Sequence, residues 1–180
     1  LFPTPEKLPN SSLAYYLNIA KRDFGLPGSN HLIGNNGIDI DTLIADLTRS
    51  EASGEPYALL GASFSLVHAL DSLERLAFSV NLPAGSRILD TGGFKGRSRE
   101  LAPDEFYDAL SNTFNVPRSQ CINMYGMTEL SSQFYDNGNA NSPSVKSGPS
   151  WVKTRVVNPL TGLEMPKGSV GVLAHTDLAH

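Results

Sequence analysis

The stretch "YALLGASFSLVHALDSLERLA" (57–77) decides the fold of this chain. Its first five residues form a short apolar run that predicts a buried strand, and the later apolar residues recur at the spacing of a helix. The same order repeats downstream in "RILD" (87–90), a helix opened by Pro103, and "CINMY" (121–125). Parallel neighbouring strands need a long crossover, which a helix supplies. The sequence therefore predicts an α/β fold with a parallel βαβ sheet and flanking helices.

Two helices are predicted before this region. Ser11 and Ser12 are placed to cap a helix that starts at Leu13 and ends before "GLPG" (25–28). A second helical pattern covers residues 40–47, and the aspartates on either side of Ile40 are placed to cap it.

The composition changes after Asp136. The polar loop "NGNANSPSVKSGPS" (137–150) has no apolar periodicity, and "WVKTRVVN" (151–158) and "SVGVLAH" (169–175) then indicate strands of a small antiparallel unit. We therefore expect an α/β subdomain over residues 1–136 and a β-rich subdomain over residues 137–180.

Composition limits the classes of partner and the cellular setting. The 180 residues are 40% hydrophobic with a net charge of −4, and no dense Lys/Arg block predicts a nucleic-acid partner or an anionic membrane surface. The single cysteine and the scattered histidines show no zinc pattern, so we expect a cytoplasmic protein. No apolar run approaches the roughly 20 residues that span a bilayer. The chain begins without Met, and we expect it to be part of a longer protein.

Three connections follow the predicted strands, namely "GASFS" (61–65), "TGGFKGRSRE" (91–100) and "YGMTELSSQ" (125–133). Ligands of parallel sheets bind beyond the carboxyl ends of the strands. We therefore expect the three connections to converge on one ligand.

The second connection has features of an anion site. Its paired glycines let the backbone approach a flat ring or a phosphate, and Lys95, Arg97 and Arg99 add positive charge. It matches neither the Walker loop nor the GxGxxG turn. The alternative is a tight turn whose basic side chains are only solvated.

The third connection carries Tyr125, which could stack on a base or pack in the core, and Thr128, whose hydroxyl could reach a phosphate oxygen. Glu129 could ligate Mg²⁺, which prefers oxygen ligands and bridges to nucleotide phosphates, or it could begin a helix.

Near the chain end, Asp177 could accept hydrogen bonds from ribose hydroxyls or cap a turn. Cys121 lies in a predicted strand and is interpreted as a core residue.

A competing motif lies at "GASFS". It nearly matches the GxSxG nucleophile elbow, and His175 lies downstream as in an α/β-hydrolase, which would make Ser63 an esterase nucleophile. Ser65 replaces the last glycine of that motif, and no HGGG-like oxyanion segment is present.

Together, "LDTGGFKGRSRE" (89–100) and "NMYGMTELSSQFYD" (123–136) resemble the acyl-protein synthetase (LuxE-like) family, a branch of the adenylate-forming superfamily. The resemblance extends from about Leu13 to the end. It implies part of an adenylate-forming N-terminal domain that uses ATP and Mg²⁺ to convert a carboxylic acid, expected to be a fatty acid, to an acyl adenylate. The acyl group would then pass to a thiol, with an acyl-accepting protein or an acyl reductase as partner.

The resemblance also implies roles for individual residues. Gly92 and Gly93 would line the adenine pocket, while Tyr125 and Gly126 would border adenine and the acyl site. Thr128 would hold a phosphate oxygen, Glu129 would ligate the metal, and Asp177 would bind the ribose. The predicted nucleotide-binding residues are Thr91, Gly92, Gly93, Phe94, Lys95, Tyr125, Gly126, Met127 and Asp177, and the predicted catalytic residues are Thr128 and Glu129, with Glu129 as the metal ligand.

The chain also departs from the family pattern. The superfamily's Ser/Thr/Gly-rich phosphate loop and its C-terminal lid with a catalytic lysine are absent from these residues, and Cys121 does not match the acyl-accepting cysteine. We therefore expect slow turnover, or none, from this chain alone. The alternatives are an acyl-CoA ligase resembling phenylacetate-CoA ligase, the serine esterase, and a nucleotide-binding module without catalysis.

Overall fold

The computed structural model describes residues 1–179 and confirms the predicted α/β architecture. His180 lies outside the described residues. In chain order the elements are α1 (Ser12–Phe24), β1 (Ile33–Gly34), β2 (Gly37–Ile38), α2 (Ile40–Ser53), β3 (Ala58–Ala62), α3 (Ser63–Arg75), β4 (Arg87–Thr91), α4 (Pro103–Phe114), β5 (Cys121–Tyr125), β6 (Phe134–Asp136), β7 (Lys146–Ser147), β8 (Val152–Val157) and β9 (Val172–Asp177).

The first two helices begin where their caps predict. The Ser11 hydroxyl accepts a hydrogen bond from the Ala14 amide, and Asp39 accepts one from the Thr42 amide at 3.0 Å. Helix α2 continues to Ser53, beyond the predicted segment. It ends at Gly54, whose φ of 76° is left-handed and costs a glycine little.

The central sheet is parallel where it was predicted to be. β3 pairs with β4 from Ala58↔Arg87 to Ala62↔Thr91, and β4 pairs with β5 up to Thr91↔Met124. α3 and α4 supply the crossovers between these strands. Strands β3, β4 and β5 thus lie side by side in that order.

The hydrophobic core lies between this sheet and helices α2, α3 and α4. Leu43, Leu66, Leu110 and Phe114 are fully buried, and Ile88 of β4 is 1% exposed. Burying each such side chain stabilises the fold by about 1.5–3 kcal/mol. The apolar runs and helical periodicities of the sequence thus correspond to one packed core.

The described chain divides into two compact units. Unit 1 comprises residues 1–124 and 136–145, and unit 2 comprises residues 125–135 and 146–179. The predicted subdomain boundary at residue 136 stays a prediction. Among residues 1–179, no helix is both long enough and apolar enough to cross a bilayer.

Unit 2 contains the predicted antiparallel pair of strands. β8 and β9 pair from Val152↔Asp177 to Val157↔Val172. The alternation of side chains places His175 on the same face of β9 as Asp177, and the His175 ring lies 5.0 Å from the Phe134 ring. This face of the hairpin therefore packs against the residues that follow β5.

Candidate functional site

One edge of the parallel sheet in unit 1 carries the starting points of both predicted motifs. β4 ends at Thr91, which lies opposite Met124 of β5. The Thr91 hydroxyl is buried and donates a hydrogen bond to the Met124 carbonyl oxygen at 3.1 Å. The chain thus leaves the carboxyl ends of β4 and β5 from the same edge, where parallel sheets bind ligands.

The loop after β4 exposes its backbone. Gly92 has a left-handed φ of 77°, and Lys95 adopts φ 51°. A Cβ atom at Gly93 would meet nothing within 4 Å, so the space beside this residue is open. The Arg97 amide donates to the Phe94 carbonyl oxygen at 2.8 Å and closes the turn. A flat or anionic group can approach this backbone closely.

Side-chain contacts with α3 and α4 hold this loop. The Phe94 ring packs edge-on against Phe106 at 5.7 Å, and the Arg97 guanidinium lies 5.3 Å from the centre of the Phe64 ring. Arg99 donates to Asp71 at 2.9 Å. Of the three cations predicted to attract an anion, Lys95 is exposed and pairs with no carboxylate within residues 1–179.

A buried polar network beneath the loop was missed by the sequence reasoning. Asp90 is 3% exposed and accepts hydrogen bonds from the Ser63 hydroxyl at 2.9 Å, the Asn123 amide group at 2.8 Å and the Tyr107 hydroxyl at 3.0 Å. Burial raises the pKa of Asp90, although these hydrogen bonds oppose the rise. Burial, followed by the nearby Asp90 carboxyl, also raises the pKa of Tyr107.

The sequence contained a signal for this network. Asp90 and Asn123 are polar residues within the short strands β4 and β5, and they lie opposite each other in the register of these strands. Buried polar groups require partners, so two such residues on adjacent strands indicate a hydrogen-bonded pair.

Ser63 belongs to this network and does not have the surroundings of a nucleophile. It is 3% exposed, and its hydroxyl lies 2.9 Å from the Asp90 carboxyl and 3.1 Å from the Thr91 carbonyl oxygen. A nucleophilic serine needs access to substrate and a base that accepts its proton. The contacts of Ser63 instead join the start of α3 to the end of β4.

Cys121 is fully buried in β5, as its interpretation as a core residue predicts. Burial raises the pKa of its thiol to about 12, so the thiol remains protonated near neutral pH.

In unit 2, the segment after β5 is exposed from Gly126 to Glu129. Tyr125 is half-buried, with its ring 5.8 Å from the Phe134 ring and its hydroxyl 3.5 Å from the Met127 sulfur. The Leu130 amide donates to the Met127 carbonyl oxygen at 3.1 Å, which forms a turn. The alternative in which Glu129 begins a helix is wrong, because residues 126–133 form no helix.

Glu129 has the chemistry of a single magnesium ligand. Its carboxylate is exposed, and within residues 1–179 no ion pair or hydrogen bond occupies it. In the part of the chain that the structure describes, no three His, Cys, Asp or Glu residues are grouped to hold a metal ion. Mg²⁺ commonly binds through one or two carboxylates together with substrate phosphates and water. Glu129 and Thr128, its exposed neighbour, fit this arrangement.

Asp177 lies at the end of β9 and is engaged by other residues of unit 2. It accepts hydrogen bonds from the Ser132 amide at 2.9 Å and the Ser132 hydroxyl at 3.1 Å. The Ala179 amide donates to it at 3.0 Å. The predicted contact with ribose stays a prediction.

The predicted site residues thus fall into two groups. Residues 91–95 belong to unit 1, and residues 125–129 together with Asp177 belong to unit 2. The expectation that their loops converge on one nucleotide stays a prediction.

Unit 1 also contains a cavity of about 360 Å³. It lies beside the end of α1, α2 and the start of β3, and Phe24, Leu26, Arg49 and Tyr57 are among the residues that line it. None of the predicted site residues lines this cavity.

Comparison with protein families identifies one that covers most of the chain. The family described as acyl-protein synthetase, LuxE matches residues 19–180. The long-chain-fatty-acid–luciferin-component ligase of Vibrio harveyi is 25% identical over 143 residues. This alignment covers 78% of the present chain and 36% of that relative, so the chain spans about a third of the relative's length.

Solved structures with a similar fold come from larger proteins. The ATP-bound RpMatB-BxBclM chimera B1 matches 78% of this chain and 25% of its own chain, with a TM-score of 0.53 and 18% identity. The adenylation domain of a keto acid-selecting NRPS module, bound to a keto acyl adenylate, matches 74% of this chain and 29% of its own, with a TM-score of 0.50 and 13% identity. At these identities the likeness shows the fold.

Proposed function

The chain belongs to the acyl-protein synthetase (LuxE) family, and on that premise we propose that it carries nucleotide-binding residues of an ATP-dependent ligase. In this reaction a carboxylate oxygen of the acid attacks the α-phosphorus of ATP, and the bond from that phosphorus to pyrophosphate breaks. The acyl group of the resulting acyl adenylate then passes to a protein thiol, and AMP leaves. We place the reaction in the cytoplasm.

The observation that best supports this proposal is the sheet edge in unit 1 where β4 ends beside Met124 of β5. Thr91 lies opposite Met124, so both motifs that resemble the family begin where a parallel sheet places its ligands. This arrangement follows from the parallel register itself and requires no movement of the strands.

We propose that the loop after β4 binds through its backbone. Gly92 and Gly93 would lie against the adenine ring, since no side chain of residues 1–179 fills the space beside Gly93. Thr91 and Phe94 would hold the loop in this conformation through their contacts with Met124 and Phe106. Lys95 would supply positive charge to the phosphates.

We propose that the exposed segment after β5 acts through its side chains. Tyr125, Gly126 and Met127 would border the base and the acid, and Thr128 would donate a hydrogen bond to a phosphate oxygen. Glu129 would hold Mg²⁺, and the bound ion would supply positive charge that neutralises the phosphates. In phosphoryl-transfer reactions, positioning and electrostatic stabilisation supply most of the rate enhancement.

We further propose that the acid is a long-chain fatty acid and that the acceptor is a protein cysteine. The first inference rests on the name of the Vibrio harveyi relative. The description of the family supports a protein as the acceptor, and the thiol is what the resemblance in sequence implies. An acyl-CoA ligase would share the adenylation step and differ only in the accepting thiol.

Exchange of labelled pyrophosphate into ATP by the full-length protein tests the proposal. We expect exchange that depends on added acid and is fastest with long-chain fatty acids, because adenylation is reversible. Labelled acyl groups should then remain on protein as a thioester that hydroxylamine cleaves. Acyl-CoA as the product would assign coenzyme A as the acceptor.

Two other outcomes would contradict the ligase proposal. ATP binding without acid-dependent exchange would indicate a nucleotide-binding module. Labelling of Ser63 by a fluorophosphonate would indicate an esterase, which the burial of Ser63 argues against.

A further inference from the structure

The hydrogen bonds around Asp177 leave little room for a ligand. Its carboxylate accepts hydrogen bonds from the Ser132 amide, the Ser132 hydroxyl and the Ala179 amide, and the Ser131 amide contributes a fourth. An ionised carboxylate offers about four acceptor sites. A ribose diol, which would donate two hydrogen bonds, would have to displace protein donors.

The same hydrogen bonds connect two parts of unit 2. Ser132 is 6% exposed, and its oxygen also accepts a hydrogen bond from Trp151 Nε1 at 2.9 Å. Trp151 immediately precedes β8, and its carbonyl oxygen accepts from the Leu178 amide at 3.2 Å. We call Asp177, Ser132 and Trp151 the Ser132 clasp. It ties the end of the exposed segment after β5 to the β8–β9 hairpin.

Glu129 lies three residues before Ser132, with the turn from Met127 to Leu130 around it. β5 holds one end of this short segment, and the Ser132 clasp holds the other. An exposed carboxylate on so short a segment keeps its orientation only while both ends are held. Groups that orient a metal ligand commonly affect metal affinity without touching the metal.

We propose that Asp177 is a positioning residue, which holds the Glu129 turn through Ser132 and thereby supports Mg²⁺-dependent binding of ATP instead of contacting the ribose. The inference rests on the proposed function, because it concerns the metal ligand of that site. If Asp177 bound the ribose, as the sequence predicts, its substitution would weaken binding of adenosine. If Asp177 positions Glu129, its substitution weakens the effect of Mg²⁺ on ATP binding.

The ionisation of Asp177 is consistent with this role. Partial removal from water would raise the pKa of the carboxyl, but the hydrogen bonds from Ala179, Ser132 and Ser131 outweigh that effect and lower it. The carboxylate therefore remains an acceptor near neutral pH.

The test compares three ligands: ATP with Mg²⁺, ATP with EDTA, and adenosine. In Asp177→Asn an NH₂ group replaces one of the two oxygens and faces the Ser132 amide or the Ala179 amide, both of which are donors, so the clasp loses a hydrogen bond and weakens. We expect the gain in ATP affinity from Mg²⁺ to fall about tenfold. Adenosine affinity should stay within about twofold of the native value, because the ribose keeps its contacts.

Two further variants sharpen the comparison. Ser132→Ala removes the hydroxyl but keeps the backbone amide that donates to Asp177, so its effect should have the same direction and be smaller. Glu164→Gln removes one exposed negative charge elsewhere in unit 2, and it should leave all three affinities unchanged.

A ligand-free measurement tests the clasp itself. Trp151 is the single tryptophan, so its indole N–H gives one resolved NMR signal. We expect that proton to exchange with solvent faster in Asp177→Asn and in Ser132→Ala than in the native chain. If the Trp151 indole proton exchanged at the native rate in both variants, the clasp would be overturned, independently of any result from the ligand measurements.

The remaining outcomes separate this inference from the proposed function. Loss of adenosine affinity in Asp177→Asn, with the Mg²⁺ gain intact, would make Asp177 a ribose ligand and overturn the inference alone. Absence of any ATP binding by the native chain would overturn the proposed function, and the positioning role would fall with it.

Discussion

The two loops that carry the family motifs are held in different ways. The loop over residues 92–99 in unit 1 is anchored by its own side chains, since Phe94 packs on Phe106, Arg97 lies over Phe64 and Arg99 pairs with an aspartate. The segment over residues 126–132 in unit 2 is exposed along its first half, and the hydrogen bonds of Ser132 hold its end.

This difference indicates which part of each loop is available to contact a ligand. In the first loop most side chains are used for packing, which leaves the glycine backbone to meet a ligand. In the second segment the side chains of Thr128 and Glu129 are exposed and do not pack in the core, so they are free to contact a ligand. Substitutions in unit 1 should therefore change stability first, and substitutions in the exposed segment should change binding first.

Each unit contains a natural probe for testing this difference. Cys121 is the single cysteine and is buried in unit 1, so its alkylation reports opening of that unit. Trp151 is the single tryptophan and lies in unit 2, so its fluorescence reports unfolding there.

The largest effect is expected from Asp90→Ala. The substitution leaves the donors of Ser63, Tyr107 and Asn123 buried without their acceptor, and we expect the free energy of unfolding of unit 1 to fall by about 3 kcal/mol. The measurement is the urea midpoint for Cys121 alkylation. Asp71→Ala, which removes an exposed ion pair with Arg99, is the matched control and should cost under about 1 kcal/mol. Equal losses in the two variants would contradict the role of the network.

A smaller loss of stability should distinguish the packed loop from the exposed segment. Phe94→Ala removes a ring that packs against the core, and we expect a loss of about 2 kcal/mol. Met127→Ala truncates a side chain that is 40% exposed, and we expect a loss of under about 0.5 kcal/mol. Denaturant unfolding followed by Cys121 alkylation and Trp151 fluorescence measures both. A loss of unfolding free energy that is larger for Met127→Ala than for Phe94→Ala would contradict the difference between the two loops.

The smallest effect concerns pH. The pKa of Asp90 is raised in the folded state, so the folded chain holds this proton more strongly than the unfolded chain does. The protonated Asp90 therefore contributes to the free energy of unfolding. This contribution is fully present below the ordinary aspartate pKa of about 4, and it is lost as the pH rises through the raised pKa.

Asp90→Asn removes this titration. We therefore expect native stability, measured relative to Asp90→Asn by urea unfolding, to decrease from about pH 4 upward, by at most about 1.4 kcal/mol per pH unit. A difference that grows with pH would show that the sign of the shift is wrong.

Local signals made much of the fold predictable. Ser11 and Asp39 mark helix starts because capping is a contact within four residues, and the strand "CINMY" is apolar enough to be read without its neighbours. The β1–β2 hairpin was missed, although Asn36-Gly37 is a common turn pair, because its strands are only two residues long. The short strands β6 and β7 were missed because two or three residues are too few to show an alternating pattern.

The site was harder to predict because its contacts are distant in sequence. The hydrogen bond from Tyr107 to Asp90 joins residues 17 positions apart, and those from Ser132 to Asp177 join residues 45 positions apart. The local sequence around Tyr107, Ser132 and Asp177 does not indicate these partners. The surroundings that argue against the nucleophile elbow at Ser63 are equally distant in sequence, since only the fold shows that its hydroxyl is buried beside a carboxyl.

The most direct test of the account is the affinity of this chain for ATP, measured by isothermal titration with and without Mg²⁺ for the native sequence and for Glu129→Gln. We predict a gain from Mg²⁺ of about tenfold, or about 1.4 kcal/mol, in the native chain. The variant should lose this gain while its affinity for metal-free ATP stays unchanged. A native chain that gains nothing from Mg²⁺, or a Glu129→Gln variant that keeps the full gain, would contradict the account.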